Sequence, residues 1–231
     1  MKNRGRILLG LLAAAGATFA ALAPAAGART LKTIYPSVSV GKVRSAFDWA
    51  GSTSYGGLCL QTLTCPTVTN TRQTSGGAGG PNDGFLRTHI GSLTGVGSTS
   101  TGVWESQAFK YVGAQGHQPN KVTFRLFRRS NTGALLNVTG AEAFMNAAIA
   151  NARTGKAVVT PIVHLNLTST GVFTKVGPID LQRNSLRRGQ SYRILIGSTF
   201  VEGAQVFPGA DADYDNIQLV AKRHLHKGSK R

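Results

Sequence analysis

Three of the chain's nine carboxylates lie close together near its end, in the run VFPGADADYDN. Asp211, Asp213 and Asp215 supply hard oxygen ligands at short spacing, and Ca²⁺ takes six to eight such ligands from carboxylates and backbone carbonyls. The run has neither the glycine nor the final glutamate of an EF-hand loop. The cluster is therefore a candidate calcium site. The alternative is a solvated turn whose Asp and Asn side chains accept hydrogen bonds from backbone amides.

Asp215 carries the sharper prediction of the three. In an extended strand it shares a face with Ile217 and Leu219, which are core residues by type. Burying a carboxylate without a partner costs several kcal/mol, and cations are scarce in the neighbouring sequence until Lys222. The sequence thus predicts that calcium or backbone amides satisfy Asp215.

Aromatic side chains form a second group of candidate site residues, because exposed rings can stack on the faces of pyranose sugars. The candidates are Trp49, Tyr55, Trp104, Tyr111 and Phe127. Phe127 falls on the polar side of its strand, between Arg125 and Arg129, which predicts an exposed ring. The competing interpretation is that most of these rings fill the core, since aromatic residues make up only 7% of the chain.

Charge and the N-terminal sequence indicate an exported basic protein. Residues 1–28 have a charged start, an apolar stretch and the small-residue pattern Ala26-Gly27-Ala28, which together predict a secretory signal peptide. Without its three cations the net charge of +17 falls to +14, which favours polyanionic partners such as cell-envelope polymers over nucleic acid. No later run is long and apolar enough for a transmembrane segment in the mature chain. Residues 221–231 are predicted to form a flexible basic tail.

The two cysteines, Cys59 and Cys65, are separated by five residues. In an oxidising compartment such a pair is expected to form a disulfide that closes a small loop. The chain has no C-x-x-C spacing, which a redox or metal role would favour.

Short alternating segments between Gly-rich turns predict an all-β sandwich. The clearest strands are expected around Val103, Lys121, Val158, Ser191 and Asn216. Residues 141–150 (AEAFMNAAIA) contain many helix formers, but their alternation and the turn that follows favour a strand. We expect an extended segment over residues 29–44 and one sandwich domain over residues 45–220.

The order of several motifs resembles secreted bacterial β-jelly-roll modules of the carbohydrate-binding, galactose-binding-like type. The motifs are DGFLRT from Asp83, GVWESQAF from Gly102, VTFRL from Val122, RGQSYRI from Arg188 and DYDNIQL from Asp213. The resemblance implies a single jelly-roll β-sandwich and a structural calcium where the last strand meets the first. It implies Asp215 and Asp48 as ligands of that ion.

These features lead us to expect a secreted, non-catalytic module that binds polysaccharide or an anionic envelope polymer. One alternative is a structural surface protein retained by its charge. Another is a jelly-roll hydrolase or lyase, for which a carboxylate pair such as Glu105 and Asp215 would be needed. The nucleophile elbow, HExxH and phosphate-loop motifs are absent from the sequence, and we expect no catalysis.

Overall fold

A computed structural model of the chain describes residues 29–35, 49–57, 67–91, 98–132, 140–201 and 209–225. The predicted signal peptide, Asp48, Cys59 and Cys65 lie outside the described residues. The export signal, the part of Asp48 in the metal site and the disulfide therefore stay predictions.

The described residues form twelve β-strands. They are β1 (Arg29–Ile34), β2 (Trp49–Gly57), β3 (Val68–Gln73), β4 (Phe85–Ile90), β5 (Ser98–Ser106), β6 (Phe109–Lys110), β7 (Lys121–Asn131), β8 (Glu142–Asn151), β9 (Ala157–Asn166), β10 (Thr174–Asp180), β11 (Ser191–Val201) and β12 (Ala210–Leu225). In this part of the chain no helix is long and apolar enough to cross a membrane.

The strands form two antiparallel sheets. Sheet A has the order β10-β7-β12-β4-β3, with β1 also paired to β12, and sheet B has the order β2-β5-β11-β8-β9, with β6 also paired to β11. Four strands of sheet A, in the order β10-β7-β12-β4, face four strands of sheet B, in the order β9-β8-β11-β5. These are the strand orders of the two sheets of an eight-stranded jelly roll. The predicted jelly-roll β-sandwich is confirmed.

The core lies between the sheets and is filled by alternating residues of both. On β11 the inward side chains Tyr192, Ile194 and Ile196 are almost completely buried, and sheet A contributes Phe124 and Leu219 to the same core. Alternation of this kind is what a strand with one face on a core requires. It is also why the ambiguous residues 141–150 are a strand: β8 is paired on both sides, by β11 and β9.

Strand β12 is longer than the sequence suggested. It continues to Leu225 and pairs over its last six residues with β1, from Arg29↔Leu225 to Ile34↔Val220. Ala221 is fully buried and Leu225 packs against the core, so these residues are held by the sheet. The prediction of a flexible tail from residue 221 is therefore wrong for residues 221–225, because apolar side chains between the cations anchor them to β1.

Candidate functional site

Three of the five predicted sugar-stacking rings are buried. Trp49, Trp104 and Tyr111 are each only 1% exposed. The indole N–H of Trp104 donates a hydrogen bond of 3.1 Å to the hydroxyl of Thr88, and Tyr111 stacks on Tyr35 with ring centroids 5.6 Å apart. The stacking role predicted for these three rings is therefore wrong. Each is one of the large side chains that fill a sandwich interior.

The other two rings reach the surface, but on different sheets. Tyr55 is 37% exposed on the edge strand β2, and its hydroxyl accepts a hydrogen bond of 3.3 Å from the N–H of Val68. Phe127 is half-buried on the outer face of sheet A, paired with Asp215 on one side and Lys175 on the other. The five predicted rings thus form no continuous stacking row.

Two of the clustered aspartates already have side-chain partners from neighbouring strands. Arg87 donates two hydrogen bonds to Asp213, of 2.8 Å and 3.0 Å, and Arg129 donates one of 2.8 Å. Asp211 contacts the ring of His89 at 2.8 Å. The prediction that Asp213 is a metal ligand is therefore wrong. Strand pairing places arginines from β4 and β7 beside it, although none is close in sequence.

Asp215 is fully buried and is satisfied in part by backbone amides. The loop of residues 74–84 covers it, and the N–H of Ala78 donates a hydrogen bond of 2.6 Å to its Oδ2, while the N–H of Asn216 donates to its Oδ1. Burial raises the pKa of Asp215 from 3.8 to about 6; the amide hydrogen bonds oppose this, and the nearby Asp83 carboxylate adds to it. These partners agree with the prediction that backbone amides satisfy Asp215; the other predicted partner was calcium.

The same loop offers oxygen atoms that fit a hard cation. Asp83 is 8% exposed, and its Oδ1 has no hydrogen-bond partner among the described residues. Its other oxygen accepts a hydrogen bond of 2.7 Å from the N–H of Gly79. Two buried carboxylates with an unsatisfied oxygen suit Ca²⁺. The described residues contain no group of three or more acidic, His or Cys side chains around a common point, so backbone carbonyls and water would have to complete the coordination.

The carboxylate pair Glu105 and Asp215, given as an example for the glycosidase alternative, does not fit the fold. Glu105 is on β5 of sheet B, where it forms an ion pair with Arg193. Asp215 is on β12 of sheet A, beneath the loop of residues 74–84. The two side chains lie on opposite sheets and do not face each other across a cleft, which retaining and inverting glycosidases both require.

Three adjoining cavities surround the loop of residues 181–190, which joins β10 to β11. Cavity 1, of about 410 Å³, is lined by polar residues that include Gln118, Asn120, Lys121, Asp180, Gln182 and Asn184. Cavity 2, of about 530 Å³, shares Asn184 and Ser185 with it, and cavity 3, of about 300 Å³, shares Asp180 and Gln182. The three cavities share residues of this loop and together form one surface, which we call the loop-end cavities.

Amides with unused hydrogen-bonding groups distinguish the loop-end cavities from the outer face of sheet A. The side chains of Gln118, Gln182 and Asn184 are exposed and form no hydrogen bond to another described residue. Arg153 and Arg187 line cavity 2 and have no carboxylate partner in the described part of the chain. These residues were not predicted from the sequence. The only available signal was the long polar run QRNSLRRGQ between two predicted strands.

No family model matches the sequence, and no curated protein matches it. Solved structures similar to the chain include carbohydrate-binding modules of the β-sandwich type. One was studied for the promiscuous specificity of such modules; it shares 9% identity at a TM-score of 0.44, over 81% of this chain and 62% of its own, so this chain spans less than two thirds of it. The family 11 module from Clostridium thermocellum, in complex with a β-1,3-1,4-mixed-linked tetrasaccharide, shares 10% identity at 0.39, over 81% and 94%. A mannan-recognising module shares 12% at 0.39, over 84% and 98%.

Proposed function

We propose that this protein is an extracellular polysaccharide-binding module whose sugar site is the loop-end cavities. The observation that carries the proposal is the set of exposed amide side chains in cavity 1 that have no described hydrogen-bond partner. An amide offers two donors and an acceptor, which matches sugar hydroxyls that both donate and accept. The predicted export signal supports an extracellular location.

The size and polarity of the cavities support the same function. Cavities of about 300 to 530 Å³ lie within the range of small-molecule sites, about 300–1,000 Å³. Tyr111 and Tyr192 border cavities 1 and 2, but their rings are buried, so polar side chains rather than ring stacking would hold the sugar. Because the three cavities adjoin, a chain of several sugar units can occupy them in succession, whereas a single small metabolite would leave most of the surface empty.

The outer face of sheet A supports the assignment by contrast. Its arginines Arg87 and Arg129 are already bonded to Asp213, and Arg125 donates two hydrogen bonds to the amide oxygen of Gln218. Groups that satisfy one another must break those contacts before they bind a ligand. The loop-end amides make no such contacts with described residues, so they bind hydroxyls without that penalty.

Calorimetric titration with soluble neutral polysaccharides, mixed-linkage β-glucan and mannan, tests the proposal. We expect the wild type to bind at least one of them. The double variant Gln118→Ala/Gln182→Ala should bind about thirtyfold more weakly, because each of the two lost hydrogen bonds is worth about 1 kcal/mol. The control Gln73→Ala/Gln107→Ala removes two amides outside the loop-end cavities and should bind normally. Gln107 lines the separate cavity beside Trp49, so a loss confined to this control would also contradict the proposal. A wild type that binds neither polymer, or equal losses in both variants, would contradict the proposal.

We also propose that Asp83 and Asp215 hold a structural Ca²⁺ ion. The unsatisfied oxygen of Asp83 and the burial of both carboxylates support this assignment. A divalent cation would offset the repulsion between two carboxylates in a site that is poorly solvated. When bound, the ion would fix the loop of residues 74–84 on sheet A and take no part in sugar binding, since the loop-end cavities include neither aspartate.

A further inference from the structure

Three lysines lie side by side on sheet A. The register of β12 places Lys222 directly opposite Lys32 of β1 on one side and directly opposite Lys121 of β7 on the other. Each follows or precedes a side chain that packs against the core (Leu31, Ala221 and Val122), so all three project from the outer face. Neighbouring strands are about 4.8 Å apart, so the backbone positions of Lys32, Lys222 and Lys121 lie on a straight line across three strands. We call these three residues the lysine row.

The fold provides little to neutralise the lysine row. Lys121 forms an ion pair of 2.9 Å with Asp180, and both side chains are about half exposed. Lys32 and Lys222 form no ion pair with a described residue. Like charges directly opposed on neighbouring strands destabilise a sheet. The repulsion among the three lysines therefore lowers the stability of the fold. Binding of an external anion would remove this repulsion.

The lysine row leads directly into cavity 1. Lys121, its last member, lines that cavity, together with the neighbouring Asn120 and with the Lys121 partner Asp180. A ligand that follows the row thus passes from two cations without a described ion-pair partner, Lys32 and Lys222, over the ion pair of Lys121 with Asp180, to a group of free amides. A polymer that carries both regularly spaced anionic groups and many hydroxyls matches both surfaces.

We propose that the lysine row binds the carboxylate groups of an acidic polysaccharide whose sugar hydroxyls enter cavity 1. The part that concerns cavity 1 rests on the proposed function, whereas the part that concerns the lysines does not. One acidic group per sugar unit suits the row, because the step from one strand to the next is close to the length of one pyranose unit.

The surroundings of the row favour a polysaccharide over nucleic acid. Proteins that bind single-stranded nucleic acid combine cations with aromatic rings on which bases stack. The outward-facing positions beside the row carry no Phe, Tyr or Trp; they are Thr30, Ile34, Val220, His224 and Thr123. The row thus supplies charge and no stacking platform.

Titration with polygalacturonate at low salt tests the proposal. The variant Lys32→Gln/Lys222→Gln should bind this polymer about tenfold more weakly, the size expected for the loss of two exposed ion pairs. The control Lys110→Gln/Lys175→Gln lowers the net charge by the same two units, at exposed lysines away from the row, and should stay within twofold of the wild type. Added salt should remove the difference between the variants.

Other polymers separate the outcomes. Neutral β-glucan should bind the lysine-row variant as tightly as the wild type, so loss of the proposed function and loss of acidic-polymer binding are distinguishable. Equal weakening in the row variant and the control would overturn the proposal, because net charge alone would then explain binding. Tighter, row-dependent binding of single-stranded DNA would also overturn it, in favour of a nucleic acid. The melting temperature of Lys32→Gln/Lys222→Gln at low salt should be at or above that of the wild type, which shows that the variant folds.

Discussion

Arg129 of β7 lies directly opposite Asp213 of β12 and donates a hydrogen bond of 2.8 Å to its Oδ2. Arg87 of β4 approaches the same carboxylate from the other side, and these hydrogen bonds raise the pKa of the Arg87 guanidinium. The side chain of Asp213 is 2% exposed, whereas those of the two arginines are 27% and 32% exposed. One buried carboxylate therefore joins three strands of sheet A.

Replacing Asp213 with asparagine should destabilise the protein. The substitution removes the charge that two half-buried arginines share, and we expect the free energy of unfolding in urea to fall by about 2 kcal/mol, since hydrogen bonds to charged groups are worth about 1.5–3 kcal/mol. Asp211→Asn is the matched control; its partner His89 is nearly half exposed, so its effect should stay below about 1 kcal/mol. Equal effects of the two substitutions would contradict the central role of Asp213.

Calcium should stabilise the protein through Asp215 and Asp83. At neutral pH we expect added Ca²⁺ to raise the melting temperature and a chelator to reverse the change. Asp83→Asn and Asp215→Asn should each abolish the response, because each removes one of the two buried carboxylates. Asp211→Asn should leave the response intact. If chelator has no effect on the wild type, amides alone satisfy Asp215 and the calcium proposal is wrong.

The stability of the calcium-free protein should depend on the titration of Asp215. Its pKa rises from 3.8 to about 6 on folding, chiefly because burial disfavours the charged form. A carboxyl group with a raised pKa binds its proton more tightly in the folded state, so its stabilising contribution is complete below pH 3.8 and is lost as the pH rises through about 6.

The measurement compares the wild type with Asp215→Asn in a chelator at several pH values. We expect the free energy of unfolding of the wild type, relative to the variant, to decrease between about pH 4 and pH 7. The comparison cancels the contributions of the carboxylates that do not interact with Asp215, because the substitution leaves them unchanged. A difference that is constant over this range, or that increases with pH, would show that folding does not raise the pKa of Asp215.

Local sequence patterns were sufficient to predict the strands but not the residues that form the candidate site. The alternation of apolar and polar residues in β7, β8 and β11 predicted these strands and their inward faces, because every second side chain of a strand with one buried face points into the core. The partners of Asp213 were not predictable in this way, since Arg87 is 126 and Arg129 is 84 residues away. The loop-end cavities are lined by segments that are far apart in sequence. The arrangement of the strands in the fold determines which of their polar residues lie together.

Gly102 should not tolerate a side chain. It lies on β5 where Thr88 and Asn70 of sheet A pack against the backbone, and a Cβ atom there would come within 2.8 Å of the Oδ1 of Asn70. We expect Gly102→Ala to lower the free energy of unfolding by about 2 kcal/mol, as overpacking of a core does. Gly56→Ala is the control, because a Cβ at that position meets nothing closer than 3.9 Å. A stable Gly102→Ala protein would show that the sheets can separate at this point.

Tryptophan fluorescence should change when the protein unfolds and should not change when it binds a sugar in the loop-end cavities. The chain has only two, Trp49 and Trp104, and both are 1% exposed. We expect acrylamide to quench them weakly in the native protein and strongly in concentrated guanidinium chloride. A saturating polysaccharide that gives a calorimetric signal should leave their emission maximum unchanged, because neither ring lines the loop-end cavities.

The outcome of that measurement also locates the ligand. Trp49 lines a separate cavity of about 490 Å³ together with Arg72, Glu105 and Arg193, and its indole N–H has no described hydrogen-bond partner. A ligand in this cavity would shift the emission of Trp49, and Trp49→Phe would remove the shift while Trp104 remained as an internal reference. A shift that disappears in Trp49→Phe would therefore place sugar binding at the β2–β5 edge and reject the loop-end cavities.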